Sequence, residues 1–449
     1  MKKIVTLLLL TFGVSVFAQT TTQNTDTLVL SLQDALNIAL SESPSIKVAE
    51  KEIQRVDYSK QSAWNNILPS LTASGQYGKY LEPASMAMMG QVMNSPTDFN
   101  VRASLQLSLP LFAPAVWNSI QMTTLDMKLA VEKAHASKLT LRNDVTKAYY
   151  NVLLAQDSHT TLKGGLALAE DVYFQAKKRF EIGLAAEYDV ISAEVQMKNL
   201  QPNLLEIENG IEQAKMLLKI LMGVEISQPL AIKGNLVDFE KDINATNSMK
   251  EVSATENTEI KQLDIQQQQL KKALDLQRTQ RMPTLAAFGT YGYEGTGNNA
   301  TEINFGGMPI KVDKSEEWYS QGLMVGLQVS VPLTGIFTNI SKEKQIKVQM
   351  EQVAIQRDYL TDAIELQIRT ALNNMDKAAK QAEAANKNRD LAKKGYNISV
   401  KRYETGMGTI LELQNASLSL TQSQLVYGQA IASYLSSKAD LEKLLGEVN

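Results

Sequence analysis

The residues whose types and spacing bear on chemistry fall into a few small groups. Met86, Met88, Met89 and Met93 crowd into one short stretch, LEPASMAMMGQVMNSPTDF. Thioethers are soft ligands suited to Cu(I), although methionine is equally a flexible apolar filler. His135 and His159 are the only two histidines. On one helix their spacing of about 24 residues is roughly 36 Å, so they cannot share a ligand. Two carboxylates, Asp189 and Glu412, each follow a glycine by six residues within related phrases, KRFEIGLAAEYDVI (178–191) and KRYETGMGTILELQ (401–414). Cysteine is absent, which excludes disulfides, zinc–thiolate sites and a lipid-attachment cysteine. No phosphate loop or paired catalytic constellation stands out, so neither a cofactor, a metal nor an enzymatic activity is expected. With 45 basic and 48 acidic residues the charge is nearly balanced, which argues against a nucleic-acid partner.

The repeated phrase reads as a helix end, a glycine turn and a new helix start. Gly183 and Gly406 suit the left-handed residue that terminates a helix, and Arg179 and Arg402 lie in the last turn, where a cation complements the macrodipole. Thr409 and Glu412 have capping-box spacing, and Asp189 and Glu412 also suit dipole complementation in a first turn. Both phrases are therefore predicted tips of helical hairpins.

Other segments repeat in the same order. ILPSLTASGQYG (67–78) echoes RMPTLAAFGTYG (281–292), LQLSLPLF (105–112) echoes LQVSVPLT (327–334), and LMGVEI (221–226) echoes LLGEVN (444–449). The offset changes from 214 to 222 or 223 across one interstrand loop, as duplication followed by surface drift would leave it. The chain divides into a predicted secretory signal at 1–18, a first repeat at 19–226, an irregular linker and equatorial region at 227–255, and a second repeat at 256–449. The signal rests on Lys2 and Lys3, the apolar run from Ile4 and the small-residue end at Ala18.

Each repeat reads as helix, strand, loop, strand, very long helix, turn, helix. No proline lies between Pro114 and Gly183, and none follows Pro332. Apolar residues such as Leu141, Val145, Ala148, Val152 and Ala155 recur at helical spacing, so these stretches predict helices of about 68 residues, near 100 Å. Shorter helices are expected at about 44–66 and 186–222, the second kinked at Pro202; end to end they approach the same length.

The strands alternate. Ala103, Leu105, Leu107 and Leu109 are interleaved with Ser104, Gln106 and Ser108; Leu323, Val325, Leu327, Val329 and Val331 alternate with smaller or polar residues. Stretches of about 10–12 residues match a tilted membrane strand. Tyr77, Tyr80, Tyr291, Tyr293, Trp318 and Tyr319 gather at one end, and Phe112, Trp117 and Phe337 at the other, as membrane interfaces favour. A sheet in lipid must close, and four strands cannot close alone, so an oligomer is required: two chains give eight strands and three give twelve.

The duplicated plan, the prolines at strand ends (Pro69, Pro110, Pro283, Pro332) and the pair RFEIGLAAEYDV and RYETGMGTILEL resemble the TolC family of outer-membrane efflux proteins over nearly all of the mature chain. The resemblance implies a mixed α and β fold: a long α-helical barrel continuous with a transmembrane antiparallel β-barrel, completed by a homotrimer of twelve helices and twelve strands in outer-membrane lipid. It implies an exit duct that works with a periplasmic adaptor and an inner-membrane pump. It further implies that the tips form the periplasmic mouth, with Tyr403 and Asp189 in a gate and Glu412 in an acidic ring that would favour cations. Gly408 and Asn415 stand where a gate arginine and a second acidic ring would be. Arg179, Gly183, Leu184, Arg402, Gly406 and Met407 would be the adaptor contacts, chiefly the apolar pair Leu184 and Met407. Two alternatives are the exit duct of type I protein secretion and a soluble periplasmic coiled-coil scaffold.

Overall fold

The computed structural model describes residues 27–82, 85–88, 91–94, 97–243, 256–298, 301–305, 308–333 and 336–446. The predicted signal at 1–18 and Met89 lie outside the described residues.

In chain order the elements are β1 (Leu28–Leu30), α1 (Leu32–Glu42), α2 (Pro44–Asn65), β2 (Ser70–Lys79), β3 (Ser85–Met88), β4 (Gln91–Asn94), β5 (Phe99–Phe112), α3 (Pro114–Glu181) and α4 (Glu187–Met222). Then follow β6 (Leu230–Ile232), a 3-10 turn (Leu236–Phe239), α5 (Glu240–Ile243), α6 (Thr258–Thr279), β7 (Thr284–Asn298), β8 (Thr301–Phe305), β9 (Met308–Val312), β10 (Ser315–Ser330), α7 (Ile336–Glu404) and α8 (Ile410–Leu445).

Helices α3 and α7 contain 68 and 69 residues, close to 100 Å each at 1.5 Å per residue. The shorter helices stack in pairs beside them. Gly223, at the end of α4, lies so close to Glu42 at the end of α1 and Pro44 at the start of α2 that a Cβ there would clash, and Asn257 before α6 donates to the Leu444 carbonyl of α8 at 3.1 Å. Towards the sheet α2 packs on α3, α3 on α6 and α6 on α7; towards the tips α4 packs on α3, α3 on α8 and α8 on α7. The long strands adjoin α2, α3, α6 and α7 in turn, and the sheet order, β2-β5-β7-β10, copies that helix order.

The large core lies midway along the bundle. Val145, Tyr149, Val152 and Leu153 of α3 meet Ile431, Tyr434 and Leu435 of α8, Ile364 and Ile368 of α7, and Leu218 and Met222 of α4. A belt braces this level. β1 pairs in parallel with β6, and the Tyr149 hydroxyl donates to the Lys233 carbonyl at 2.5 Å beside the β1 carbonyl of Leu30. Tyr150 packs edge-on against Phe239, and Arg389 of α7 lies 4.5 Å from the Tyr427 ring centroid. Two further polar devices start helices here: Ser31 and Asp34 exchange backbone bonds in a capping box at α1, and Asn257 accepts from the Glu259 N–H at α6.

Several sequence expectations change in detail. The long strands run to 14–16 residues in β5, β7 and β10, past the 10–12 apolar alternations, because the ladder continues through polar partners such as Thr296 opposite Glu317 and Asn298 opposite Ser315. Pro110 sits inside β5 rather than at its end, tolerated by a register shift between Pro110 and Phe112. Pro202 does not interrupt α4, which is one helix from Glu187 to Met222. The described part of 227–255 contains a strand, a 3-10 turn and a helical turn rather than irregular chain alone.

Replacing Tyr149 by Phe removes the hydroxyl that ties the belt to α3. Loss of one buried hydrogen bond, about 1 kcal/mol, is expected to speed amide exchange roughly fivefold in 28–30 and 230–233 while leaving the middle of α3 unchanged; exchange mass spectrometry reads both.

Candidate functional site

Two regions carry the features singled out in the sequence, one at each end of the bundle. At the tips the repeated phrase forms the same turn twice. Gly183 and Gly406 have φ of 74° and 75°. Gly183 N–H donates to Phe180 and Leu184 N–H to Arg179; Gly406 N–H donates to Tyr403 and Met407 N–H to Arg402, at 2.7–3.1 Å. Both pairs define a Schellman motif. Leu184 and Met407 project from these turns, 73% and 72% exposed.

Each following helix keeps a different half of the capping box. Asp189 accepts the Ala186 N–H at 3.3 Å, whereas Thr409 accepts the Glu412 N–H at 3.2 Å. Glu412 is thereby freed to face Arg402, 3.6 Å away. Asn415 is exposed one turn further along α8.

The two arginines diverge from the repeat. Arg402 stays within its own turn and donates to the Met407 carbonyl at 3.2 Å. Arg179 crosses to the other repeat: its Nη2 donates to the Tyr403 and Glu404 carbonyls at 2.5 and 3.0 Å, and its guanidinium lies 4.1 Å from the Tyr403 ring centroid. Tyr403 is 4% exposed and packs among Val172, Ala176, Ala193, Ile410 and Leu413. Burial pushes its phenol above the ordinary tyrosine range; Arg179 opposes the shift and the nearby Asp189 charge adds to it. Gly408 admits no larger residue without movement, since a Cβ there would lie 3.1–3.2 Å from Arg402 and the Tyr403 backbone.

At the opposite end, β2, β5, β7 and β10 form an antiparallel sheet with two distinct faces. One face carries the rows Tyr77–Val101–Gly295–Trp318, Ala73–Leu105–Tyr291–Leu323 and Leu71–Leu107–Gly289–Val325, with Tyr293 between them. The other carries Gln76–Arg102–Glu294–Tyr319, Ser74–Ser104–Gly292–Gly322 and Thr72–Gln106–Thr290–Met324. A register shift between Ser320 and Gly322 keeps Trp318 on the same face as Leu323. Of the predicted interface aromatics, Tyr77, Tyr291, Tyr293 and Trp318 share the apolar face. Tyr319 lies on the polar one, as the immediate neighbour of Trp318 in a strand must, and Tyr80 follows the end of β2.

Among the described residues nothing covers the apolar face at β10, where Leu323, Val325, Leu327 and Val329 are 65–75% exposed, and neither β2 nor β10 has a partner on its outer edge. From the Leu285 row to the Gly295 row the strand rises roughly 33 Å, which at a tilt near 40° is about 25 Å, the height of the apolar band of membrane barrels. Among the described residues no helix is long and apolar enough to cross a membrane.

Sequence reasoning missed the polar-face link in which Arg102 pairs with Glu294 at 3.0 Å and Gln321 donates to Glu294 at 2.6 Å. Opposite charges in otherwise small, polar alternations were the available signal, but the β5–β7 register that joins them is not readable locally. Met86 and Met93 are register partners across β3 and β4. His135 lies beside Glu132 at 3.9 Å and His159 beside Glu208 at 3.3 Å, and no His, Cys, Asp and Glu group among the described residues could hold a metal.

A membrane-type sheet carried on a long antiparallel helical stalk with two tight-turned tips defines a class of envelope protein. The chain belongs to the outer membrane efflux protein family, whose model matches residues 35–224 and 252–447. It is 22% identical over 350 residues to the outer membrane protein TolC of Vibrio cholerae, covering 77% of each chain. It is 23% identical over 429 residues to the toluene efflux pump outer membrane protein TtgC of Pseudomonas putida, covering 93% of this chain and 83% of that one. The fold matches the outer membrane channel CmeC of Campylobacter jejuni with a TM-score of 0.71 at 17% identity, over 92% of this chain and 85% of the other.

Because nothing lies within 4 Å of a Cβ built at Gly183 or Gly406, substitution there tests backbone conformation alone. Gly406→Ala is expected to destabilise the tip by about 1–2 kcal/mol and Gly406→Asn by less, read as faster amide exchange in 400–410.

Proposed function

We propose that three copies of this chain assemble into an outer-membrane exit duct for small molecules, served by a periplasmic adaptor and an inner-membrane pump. The observation that carries the reading is the four-stranded sheet, which among the described residues leaves an apolar face and two edges unpartnered. In lipid those edges must pair, and β10 of one copy beside β2 of the next continues the antiparallel alternation. Near the tips both margins of the helical layer are exposed, Tyr188, Ile191 and Val195 on α4 and Leu391 and Ile398 on α7.

Three copies are favoured over two by the polar face. An eight-stranded barrel is filled by its own side chains, and the Ser74–Ser104–Gly292–Gly322 row beside the Arg102–Glu294 pair is too small for that. Twelve strands enclose water instead. Family membership and the likeness to a toluene efflux pump component support efflux over protein secretion. The signal at 1–18 directs export. At the mouth Tyr403, Asp189, Glu412 and Asn415 lie where a gate would act. Leu184 and Met407, flanked by Arg179, Gly183, Arg402 and Gly406, offer the adaptor an apolar contact on each tip. The chain has no ATP-binding loop and supplies passage while the pump supplies energy.

The protein extracted from membranes is expected to need detergent, to have the mass of three chains and to form channels in planar bilayers. Release without detergent, as a soluble scaffold would show, rejects the reading. Leu323→Arg on the apolar face, in the row nearest the middle of the band, is expected to cost about 2–4 kcal/mol of membrane stability and to deplete the assembled form, whereas Gln106→Arg at the same depth on the polar face is tolerated. Glu412→Gln is expected to weaken block by divalent cations; unchanged block removes Glu412 from the mouth.

A further inference from the structure

We infer that the seam between neighbouring copies in the tip half of the stalk repeats the α3/α8 seam of a single chain in register, with α7 of one copy against α4 of the next, but at a wider spacing. The inference rests on the three-copy reading and assigns the residues that meet. Helices α3 and α7 both run into the repeated turn, at Gly183 and Gly406, and α4 and α8 both end at a left-handed glycine, Gly223 and Gly446, an offset of 223 residues each time. At that offset buried residues fall on buried residues, Val145 on Ile368, Ala148 on Ala371 and Val152 on Met375. The two hairpins are thus one unit written twice. Among the described residues α3 packs on α4 and on α8 in this half, whereas α7 packs on α8 and offers its other side to no helix.

Glycine makes the α3/α8 seam tight. A Cβ at Gly165 of α3 would lie 2.8 Å from the Thr421 hydroxyl of α8 and 3.5 Å from its Cβ, and a Cβ at Gly428 of α8 would lie 2.8 Å from the Asp157 carboxylate of α3. Carried over by 223 residues, Gly165 and Thr421 become Asn388 on α7 and Lys198 on α4, while Asp157 and Gly428 become Lys380 and Leu205. All four of these margin residues are exposed, whereas Gly165, Thr421 and Gly428 are buried. Exposure at positions whose counterparts are buried is what a missing neighbour leaves, and a second copy brings that neighbour with the matching face. Neither margin pair contains glycine, so the two helices cannot approach as closely as α3 and α8 do. The lysines do not need the neighbour for their charge: Lys380 pairs with Asp376 at 2.7 Å and Lys198 with Glu194 at 3.1 Å, each on its own helix. Their alkyl stems are free to lie across the gap, that of Lys380 over Leu205 of the next copy, which is 61% exposed in one chain. Tight seams within chains and wide seams between copies then alternate around the tip half of the stalk.

The test is crosslinking of the full-length protein purified in detergent, which the absence of cysteine leaves without background. Asn388→Cys combined with Lys198→Cys is expected to give covalent trimer with a bis-maleimide of about 10 Å span, at least about tenfold more than under a disulfide-forming oxidant, since a disulfide needs Cβ atoms roughly 3.5–4.5 Å apart. Asn388→Cys combined with Leu217→Cys moves one partner about 28 Å along α4 and is expected to give none. Covalent trimer from that displaced pair, or none from the Asn388 and Lys198 pair in protein with the mass of three chains, overturns the register. Disulfide-linked trimer in equal yield overturns the wide spacing. Should the first double variant fail to assemble, Lys380→Cys with Leu205→Cys tests the same register with the same outcomes. A wild type with the mass of one chain sinks the three-copy reading instead, which separates the two failures.

Discussion

Unpaired backbone groups along the margins of a sheet are the constraint from which the rest of this molecule follows. Among the described residues β2 and β10 each present one edge with no partner, and their apolar face is bare. In water such a surface would draw other chains onto itself; in a bilayer it is stable once closed. Because each strand runs into or out of a helix, and the helix order copies the strand order, closure in the proposed assembly would impose a ring on the helices as well. In that assembly the sheet would set both the membrane anchorage and the cross-section of the stalk.

Much of this was legible in the sequence because it is periodic. The proline-free stretches predict α3 and α7 almost to the residue, and alternation predicts the inner parts of β2, β5, β7 and β10. Gly183 and Gly406 are legible for a different reason: a left-handed turn leaves few alternatives to glycine. The belt was not legible. Three-residue strands such as Leu28–Leu30 and Leu230–Ile232 are too short to show a period, and their pairing spans about 200 residues of chain. The outer hairpins β3–β4 and β8–β9 fell inside what reads as loop, where methionine and proline obscure alternation.

At the candidate mouth the repeat itself misled. Arg179 and Arg402 occupy equal places in matching phrases, and the sequence supports one shared role in dipole complementation. In space they part, because the second repeat's helix end is buried against the first while the reverse is not so: Tyr403 is enclosed and its counterpart Phe180 is exposed. Duplication thus supplied two identical turns, and the asymmetry of packing around them gave each arginine a separate task. The capping box shows the same divergence, one half surviving at Asp189 and the other at Thr409.

The stacked short helices have a mechanical consequence. Their breaks, at Gly223 beside α2 and at Gly446 beside α6, fall at one level, within the braced core, while α3 and α7 pass through without a joint. Only two of the four columns in each chain can carry torque from the tips to the sheet. The other two end on a knuckle that lets the lower limbs bend while the part that carries the sheet keeps its shape.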